Sequence, residues 1–84
     1  MNHFASPAFW DRCQRLPQHI RELADEQFAL LREKPSHPSL HFKKSGKHRS
    51  VRVGMHYRAL VVDIPDGLLW FWIGSHADYD RVIG

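Results

Sequence analysis

The sequence lacks several features that would point to common classes of protein. Cys13 is the single cysteine among 84 residues, which excludes an internal disulfide and a zinc site built on cysteines. The chain contains no HExxH motif and no hydrophobic run near the roughly 18–20 residues of a membrane span. Its first residues, MNHFASPAFWDR, do not have the layout of a secretion signal. We therefore expect a soluble cytoplasmic protein with no membrane association, no metal and no cofactor.

Length and composition indicate one small globular unit. Eighty-four residues support a single hydrophobic core, so we expect one domain over residues 1–84. Hydrophobic residues make up 43% of the chain and charged residues 25%, which is ordinary for a globular domain and unlike a disordered chain.

Acidic residues are missing from the middle of the chain. Residues 34–62 contain seven lysines and arginines and no aspartate or glutamate, whereas the segments on either side are both net acidic. The formal net charge of +3 therefore hides a concentrated basic segment, which also holds four histidines. The positive electrostatic potential of such a segment attracts polyanions, most often nucleic acid. A basic surface that is simply solvated explains the charge alone equally well.

The N-terminal half has the signals of two helices. Ser6 can cap a helix, Pro7 suits its first position, and Pro17 can open a second helix. The Lys34–Pro35 step ends the second helix, because the residue before a proline is disfavoured in the α region. Apolar residues recur at helical spacing in both segments. They are Phe9, Trp10, Cys13 and Leu16 in the first, and Ile20, Leu23, Ala24, Phe28 and Leu31 in the second.

The hydrophobic period changes to two after Pro38. Leu40 and Phe42 alternate with polar neighbours, and the segments SVRV, YRALVVDI and LLWFWIG follow, separated by turn signals. We predict the order α-α-β-β-β, to which Asn2–Ala5 would add a short edge strand. The fold class is therefore α+β, with an N-terminal helical hairpin packed on a small antiparallel sheet of three to four strands.

Two arginines, a histidine and a tyrosine form the candidate catalytic set. Arg52 points away from the apolar face of its strand, and Arg58 opens the next strand after only a tight turn. Hairpin pairing can therefore bring the two guanidinium groups together. His76 follows the last strand, and Tyr79 comes shortly after it. This set fits phosphoryl transfer on RNA without a metal, with the arginines holding the phosphate and His76 or Tyr79 transferring protons.

Two segments carry a resemblance to a known family. SVRVGMHYRAL resembles the recurrent RVGxYR pattern of the RelE/ParE superfamily of bacterial toxins from type II toxin–antitoxin pairs. WFWIGSHADYDRVI resembles the superfamily's terminal strand and the residues that follow it. The order of elements is similar over nearly the whole chain. The resemblance implies an endoribonuclease that binds mRNA in the ribosomal A site and cuts it by attack of the 2′-hydroxyl on the adjacent phosphate.

The resemblance also implies roles for individual residues. Arg58 matches the arginine of the YR motif, which contacts the scissile phosphate. Arg52 matches a basic residue of the preceding strand that contributes to transition-state stabilisation or to proton transfer. His76 lies where relatives have an arginine or a histidine, and Tyr79 approximates a terminal residue proposed as the base. The chain departs from one RNA-cleaving member at Ser50, where that member has a lysine. The implied partners are mRNA on the ribosome and a cognate antitoxin, with which the chain would form a hetero-oligomer.

Other interpretations of the whole chain stay open from the sequence. The ParE branch of the superfamily inhibits DNA gyrase, and some RelE-like proteins bind an antitoxin without being catalysts. An ordinary RNA-binding module would also be basic. Four further basic residues are predicted to contact the phosphate backbone of RNA rather than to take part in chemistry. They are Lys43, Lys44, Lys47 and Arg49.

Several candidate residues also have a structural interpretation. Arg52 could pair with Asp63 on a neighbouring strand, and Tyr79 could pack its ring against the sheet. The segment Ser75–Asp78 fits the capping box of a short last helix. Trp70 and Trp72 share a parity on the last strand, where they form either a stacking surface for bases or, more commonly, part of the core.

Overall fold

Residues 2–34 and 36–83, which the computed structural model describes, form five β-strands and three α-helices. In chain order these are β1 (Asn2–Ala5), α1 (Pro7–Gln14), α2 (Gln18–Glu33), β2 (Lys43–Ser45), β3 (His48–Val53), β4 (Tyr57–Ile64), β5 (Gly67–Ser75) and α3 (His76–Ile83). A 3-10 turn at Pro38–Leu40 precedes β2. Pro35, which was predicted to end the second helix, lies outside the described residues. The predicted α+β class is confirmed.

The two N-terminal helices begin at their predicted signals. Ser6 Oγ accepts a hydrogen bond from the backbone N–H of Phe9 at 3.2 Å, and Pro7 occupies the first turn of α1. Pro17 directly precedes α2, whose buried residues are Ile20, Ala24 and Leu31. The helical pair packs on the sheet as predicted. Within the described ranges, no helix is long and apolar enough to cross a membrane.

The sheet has the strand order β1-β5-β4-β3-β2. Neighbouring strands from β2 to β5 are antiparallel, whereas β1 pairs in parallel with β5 and places Asn2 opposite Gly67. The expected three to four strands were therefore too few, and the prediction of a wholly antiparallel sheet is wrong at this edge. A strand of four residues carries no signal for its direction, which is set here by pairing with a strand more than sixty residues away.

The helices cover one face of the sheet and leave much of the other face open. Side chains alternate along a strand, and directly opposite residues share a face. The residues of β3 and β4 that join the helices in the main core are Val51, Val53, Ala59 and Val61. Ser50, Arg52 and Arg58 therefore lie on the opposite face, which we call the open face.

The helix α3 packs over one end of the open face. Ser75 Oγ accepts a hydrogen bond from the backbone N–H of Asp78 at 3.2 Å, which confirms the predicted cap of this helix. Tyr79 is only 9% exposed and forms a second hydrophobic cluster with Leu60 and Trp72. The contacts of α3 with β4 and β5 place its side chains beside the strand that carries Arg58.

A β-bulge separates the two tryptophans of β5. Leu60 is opposite Trp72 and Val61 is opposite Trp70, so Phe71 has no directly opposite residue in β4. Trp70 belongs to the main core and Trp72 to the second cluster, with 2% and 8% of their surface exposed. Their interpretation as core residues is confirmed. The expectation that they share a face is wrong, because the extra residue interrupts the alternation.

The segment before β2 is not the strand that its alternating pattern predicted. Leu40 ends the 3-10 turn and is fully buried, and the next residue, His41, has a positive φ of 45°. Extended pairing begins only at Lys43. Leu40 and Phe42 both contact the main core, but a turn of the backbone brings them there.

Candidate functional site

Two arginines face each other on the open face. Arg52 of β3 is the direct register partner of Arg58 of β4, so both side chains leave the same side of the sheet. Like charges in directly opposite positions repel each other. Neither arginine forms an ion pair with any residue in the described part of the chain. The arrangement is therefore suited to binding an anion such as a phosphate.

Neighbouring groups hold both guanidinium groups in place. Arg52 Nε donates to the carbonyl oxygen of Gly54 at 3.0 Å, and its Nη1 lies 3.1 Å from His41 Nε2. Arg58 Nη1 lies 3.5 Å from Ser50 Oγ. These contacts orient the two arginines before a ligand arrives, which reduces the entropy lost on binding.

His41 belongs to this cluster although the sequence did not single it out as a site residue. The pKa of His41 is lowered, first by burial and then by the positive charges of Arg52, Lys43 and Arg58. The imidazole is therefore neutral near pH 7. The spacing of the apolar residues around His41 resembled that of a strand, whereas the structure has a turn there.

The helix α3 adds a histidine and a tyrosine beside Arg58. His76 Nδ1 lies 3.3 Å from Asp80 Oδ2, so the two form an ion pair when His76 is protonated. The ring of Tyr79 lies 6.0 Å from that of His76, and the guanidinium carbon of Arg58 lies 5.3 Å from the centroid of the Tyr79 ring. Tyr79 is nearly buried and supports Arg58, whereas the His76 side chain is half exposed and accessible to a ligand.

Arg58, Tyr79, Trp72 and Arg12 contact one another in that order, and we call this row of rings and arginines the stack. The Trp72 ring lies 6.4 Å from that of Tyr79, and the guanidinium carbon of Arg12 lies 4.9 Å from the centroid of Trp72. Arg12 Nε also donates to the carbonyl oxygen of Ile73 at 2.9 Å. Cation–π contacts of this kind contribute about 0.5–2 kcal/mol each. Sequence patterns do not reveal the stack, because its members come from four separate elements.

The basic residues predicted to contact RNA are divided between the two faces of the sheet. Lys43 is opposite Ser50 and therefore lies on the open face with the two arginines, whereas Lys44 is opposite Arg49 on the helix side. Lys47 lies in the turn between β2 and β3. Of the four, Lys43 is the one that strand register brings to the candidate site.

Arg49 is engaged in structural contacts. Its Nε lies 3.2 Å from Asp63 Oδ1, and its guanidinium carbon lies 5.3 Å from the centroid of the Phe42 ring. Asp63 was one structural explanation for Arg52 in the sequence, but it pairs with Arg49. This leaves Arg52 available for a ligand.

The site can supply phosphate binding and proton transfer. The arginine pair can stabilise negative charge that develops on a phosphate. His41, His76 and Tyr79 are groups that can accept or donate protons. Among the residues that the structure describes, no three histidine, cysteine, aspartate or glutamate side chains are grouped so that they could hold a metal ion.

Comparisons with known proteins agree with this architecture. The family model of the ParE-like toxin domain matches residues 18–81. No curated protein matches the sequence significantly. A chain in the RelB–RelE antitoxin–toxin complex from Methanococcus jannaschii is similar, with a TM-score of 0.75, 16% identity and coverage of 96% of this chain and 99% of that chain.

Two Escherichia coli structures have the same fold. YafQ gives a TM-score of 0.71 at 14% identity, covering 93% of this chain and 96% of that chain. The isolated RelE toxin gives a TM-score of 0.65 at 11% identity, covering 96% of this chain and 93% of that chain. At these identities the similarity establishes the fold and leaves the chemistry to be argued from the residues.

Proposed function

Because this chain belongs to the ParE-like toxin domain family, within the RelE/ParE superfamily, we propose that it is the toxin of a toxin–antitoxin pair and cuts mRNA on the ribosome. The activity proposed is that of a metal-independent endoribonuclease that inhibits translation. The observation that carries the proposal is the pairing of Arg52 with Arg58 on the open face, without a carboxylate partner among the described residues.

The reaction proposed needs an internal nucleophile and two proton transfers. The RNA 2′-oxygen bonds to the adjacent phosphorus and loses its proton to a base, while the bond from phosphorus to the 5′-oxygen breaks. The leaving oxygen takes a proton from an acid, which yields a 2′,3′-cyclic phosphate and a 5′-hydroxyl. Arg52 and Arg58 offset the charge that develops on the phosphate oxygens.

His76 and Tyr79 are the groups proposed from the sequence for proton transfer. His76 is the better placed to protonate the leaving oxygen, because it is half exposed and Asp80 provides a partner for its cationic form. Tyr79 is nearly buried, so its contribution is to hold the guanidinium of Arg58 over its ring.

A cognate antitoxin is the second partner proposed. The similar chain from Methanococcus jannaschii was solved in an antitoxin–toxin complex. An antitoxin that places carboxylates between Arg52 and Arg58 would neutralise the pair and occupy the position of the phosphate. The two proteins would then form a hetero-oligomer in which the toxin is inactive.

The test is primer extension on a reporter mRNA in a reconstituted bacterial translation reaction, with and without ribosomes. Arg58→Ala should lower the cleavage rate by about 10²–10³-fold, as removal of a charge-stabilising donor commonly does. Arg15→Ala is the matched control, because Arg15 is an exposed arginine at the C-terminal cap of α1 whose ion pair is with Asp11. Thermal unfolding would confirm that both variants fold. Intact mRNA with the wild-type protein would refute the proposal.

The match to a ParE-like toxin domain leaves open the alternative that the sequence resemblance implied, which is inhibition of DNA gyrase. That activity predicts normal mRNA in the primer-extension experiment and loss of supercoiling when the protein is added to purified gyrase. A protein that affects neither mRNA nor gyrase but binds its antitoxin would be a non-catalytic member of the superfamily.

A further inference from the structure

One histidine of the open face has no role in the catalytic set derived from the sequence. His41 lies between Leu40, which is fully buried, and Phe42, which packs against the main core. Its φ of 45° is a left-handed conformation that is uncommon for a residue with a Cβ. Strain of this kind persists where the surrounding structure imposes it, often at functional positions. Here the turn directs the imidazole to Arg52.

The contact with Arg52 fixes which imidazole nitrogen carries the proton. Arg52 Nη1 lies 3.1 Å from His41 Nε2, and a guanidinium has only donors. His41 Nε2 therefore presents its lone pair to Arg52, and the proton of the neutral ring is on Nδ1. The charged groups that act on His41 are Arg52 from β3, Lys43 from β2 and Arg58 from β4, all of them positive. They oppose protonation of the ring, so Nε2 keeps its lone pair.

We infer that His41 is the proton acceptor of the cleavage reaction, with its Nε2 taking the proton from the 2′-hydroxyl as the 2′-oxygen bonds to phosphorus. This inference rests on the function proposed above. When a phosphate binds, Arg52 Nη1 turns from His41 to a phosphate oxygen, while Arg52 Nε keeps its bond to the Gly54 carbonyl. His41 Nε2 is then free beside the phosphate, where the neighbouring 2′-hydroxyl lies.

The two histidines of the site approach the arginine pair from different ends. His41 contacts Arg52, whereas His76 lies against Tyr79, the ring that supports Arg58. An in-line displacement places the nucleophile and the leaving group on opposite sides of the phosphorus, so a base and an acid on opposite sides suit it. His41 has cations around it and His76 has the carboxylate of Asp80. Burial and these cations lower the pKa of His41, which suits a proton acceptor.

Three variants distinguish a role of His41 in proton transfer from a purely structural role. His41→Asn keeps an acceptor for Arg52 and tolerates the left-handed backbone, but it cannot take up a proton. His41→Gly removes the ring, suits the positive φ and leaves space for added imidazole. His19→Asn is the matched control, since His19 is an exposed residue of α2, which packs on the opposite side of the sheet.

The assay is single-turnover cleavage of mRNA in preassembled ribosome complexes between about pH 5 and 8, a window that extends below the usual pKa of histidine because the pKa of His41 is lowered. His41→Asn should slow cleavage about 10²–10⁴-fold, as loss of a general base does, while His19→Asn cleaves at the wild-type rate. In the wild-type protein the cleavage rate should rise with pH as His41 loses its proton. This rise should be absent in His41→Asn. Added imidazole should restore part of the activity of His41→Gly and none of that of Arg58→Ala. Nitrogen NMR of the free protein should show Nε2 as the unprotonated nitrogen of His41.

Each contrary outcome has a distinct meaning. Wild-type protein that leaves the mRNA intact overturns the proposed function and this inference together. Cleavage by His41→Asn at the wild-type rate overturns the inference alone. A slower His41→Asn that keeps the wild-type pH profile, together with a His41→Gly that imidazole does not rescue, also overturns it. In that case His41 would act by positioning Arg52.

Discussion

Replacing Gly74 with alanine tests how tightly the stack behind the candidate site is packed. A Cβ at this position would lie 2.7 Å from both Cζ2 and Cη2 of Trp72 and 3.2 Å from Arg12 Nη2. Trp72 is 8% exposed, and its ring contacts both Arg12 and Tyr79. The ring can therefore move only by disturbing the contacts that hold Tyr79 under Arg58.

The expected cost follows from overpacking. Extra methyl groups forced into a packed core cost about 1–3 kcal/mol. A strand alanine otherwise has an entropic advantage of about 0.5–1 kcal/mol over glycine, which offsets part of the clash. We expect a net destabilisation of about 1–2 kcal/mol, and each kcal/mol lowers the Tm of a domain of this size by about 4–8 °C.

A double-mutant cycle in urea denaturation attributes this cost to the ring. Trp72→Phe removes the two ring atoms that the new methyl group would meet, so Gly74→Ala should cost less than about 0.5 kcal/mol in that background. Gly46→Ala is the control, because Gly46 has a φ of +63° and no neighbouring atom within 4 Å of its Cβ position. The destabilisation by Gly46→Ala comes from the backbone alone, so it should be additive with the destabilisation by Trp72→Phe. Additivity of Gly74→Ala with Trp72→Phe would refute the reasoning.

Two further predictions concern β1. Gly67→Ala should detach this strand, because its φ of +149° disfavours side chains and its Cβ would overlap the carbonyl oxygen of Asn2. Amide exchange of β1 should become fast, and unchanged exchange would contradict the account. Stability should also fall on acidification, because burial and, secondarily, Arg32 lower the pKa of His3 below its usual 6.5. In acid the unfolded chain therefore binds more protons than the folded chain. The contribution of His3 to the free energy of unfolding is complete above about pH 6.5 and is lost as the pH falls through the pKa of His3 in the folded state. His3 Nδ1 accepts a hydrogen bond from Trp70 Nε1 at 3.1 Å only when it is unprotonated. Urea denaturation should therefore show a weaker pH dependence for His3→Gln, in which the lowered pKa of His41 remains, and an unchanged slope would contradict this role.

Local signals in the sequence were sufficient for much of the fold. Ser6 with Pro7, and Ser75 with Asp78, cap helices through contacts within four residues, so their sequence spacing determines the outcome. The register of Arg52 and Arg58 also follows from a short turn, because a tight connection between adjacent strands leaves few alternative pairings.

The features that the sequence did not predict depend on contacts between distant segments. The direction of β1 depends on pairing with β5, which lies next to it in the sheet but at the other end of the chain, and no pattern within four residues encodes it. The bulge at Phe71 depends on the fit of β5 to β4, and it sends Trp72 away from the main core that holds Trp70.

Two backbone irregularities lie at the candidate site, and they have complementary effects on the arginine pair. The bulge brings Trp72 beside Tyr79, which supports Arg58, and the left-handed turn at His41 brings an imidazole to Arg52. Each irregularity breaks an alternating pattern that a plain strand would have kept. Without the bulge, Trp72 would keep the parity of Trp70 and leave the second cluster, and without the turn, an extended segment would continue through His41. The same departures from regular structure that made these residues hard to predict therefore position the side chains on which the proposed chemistry depends.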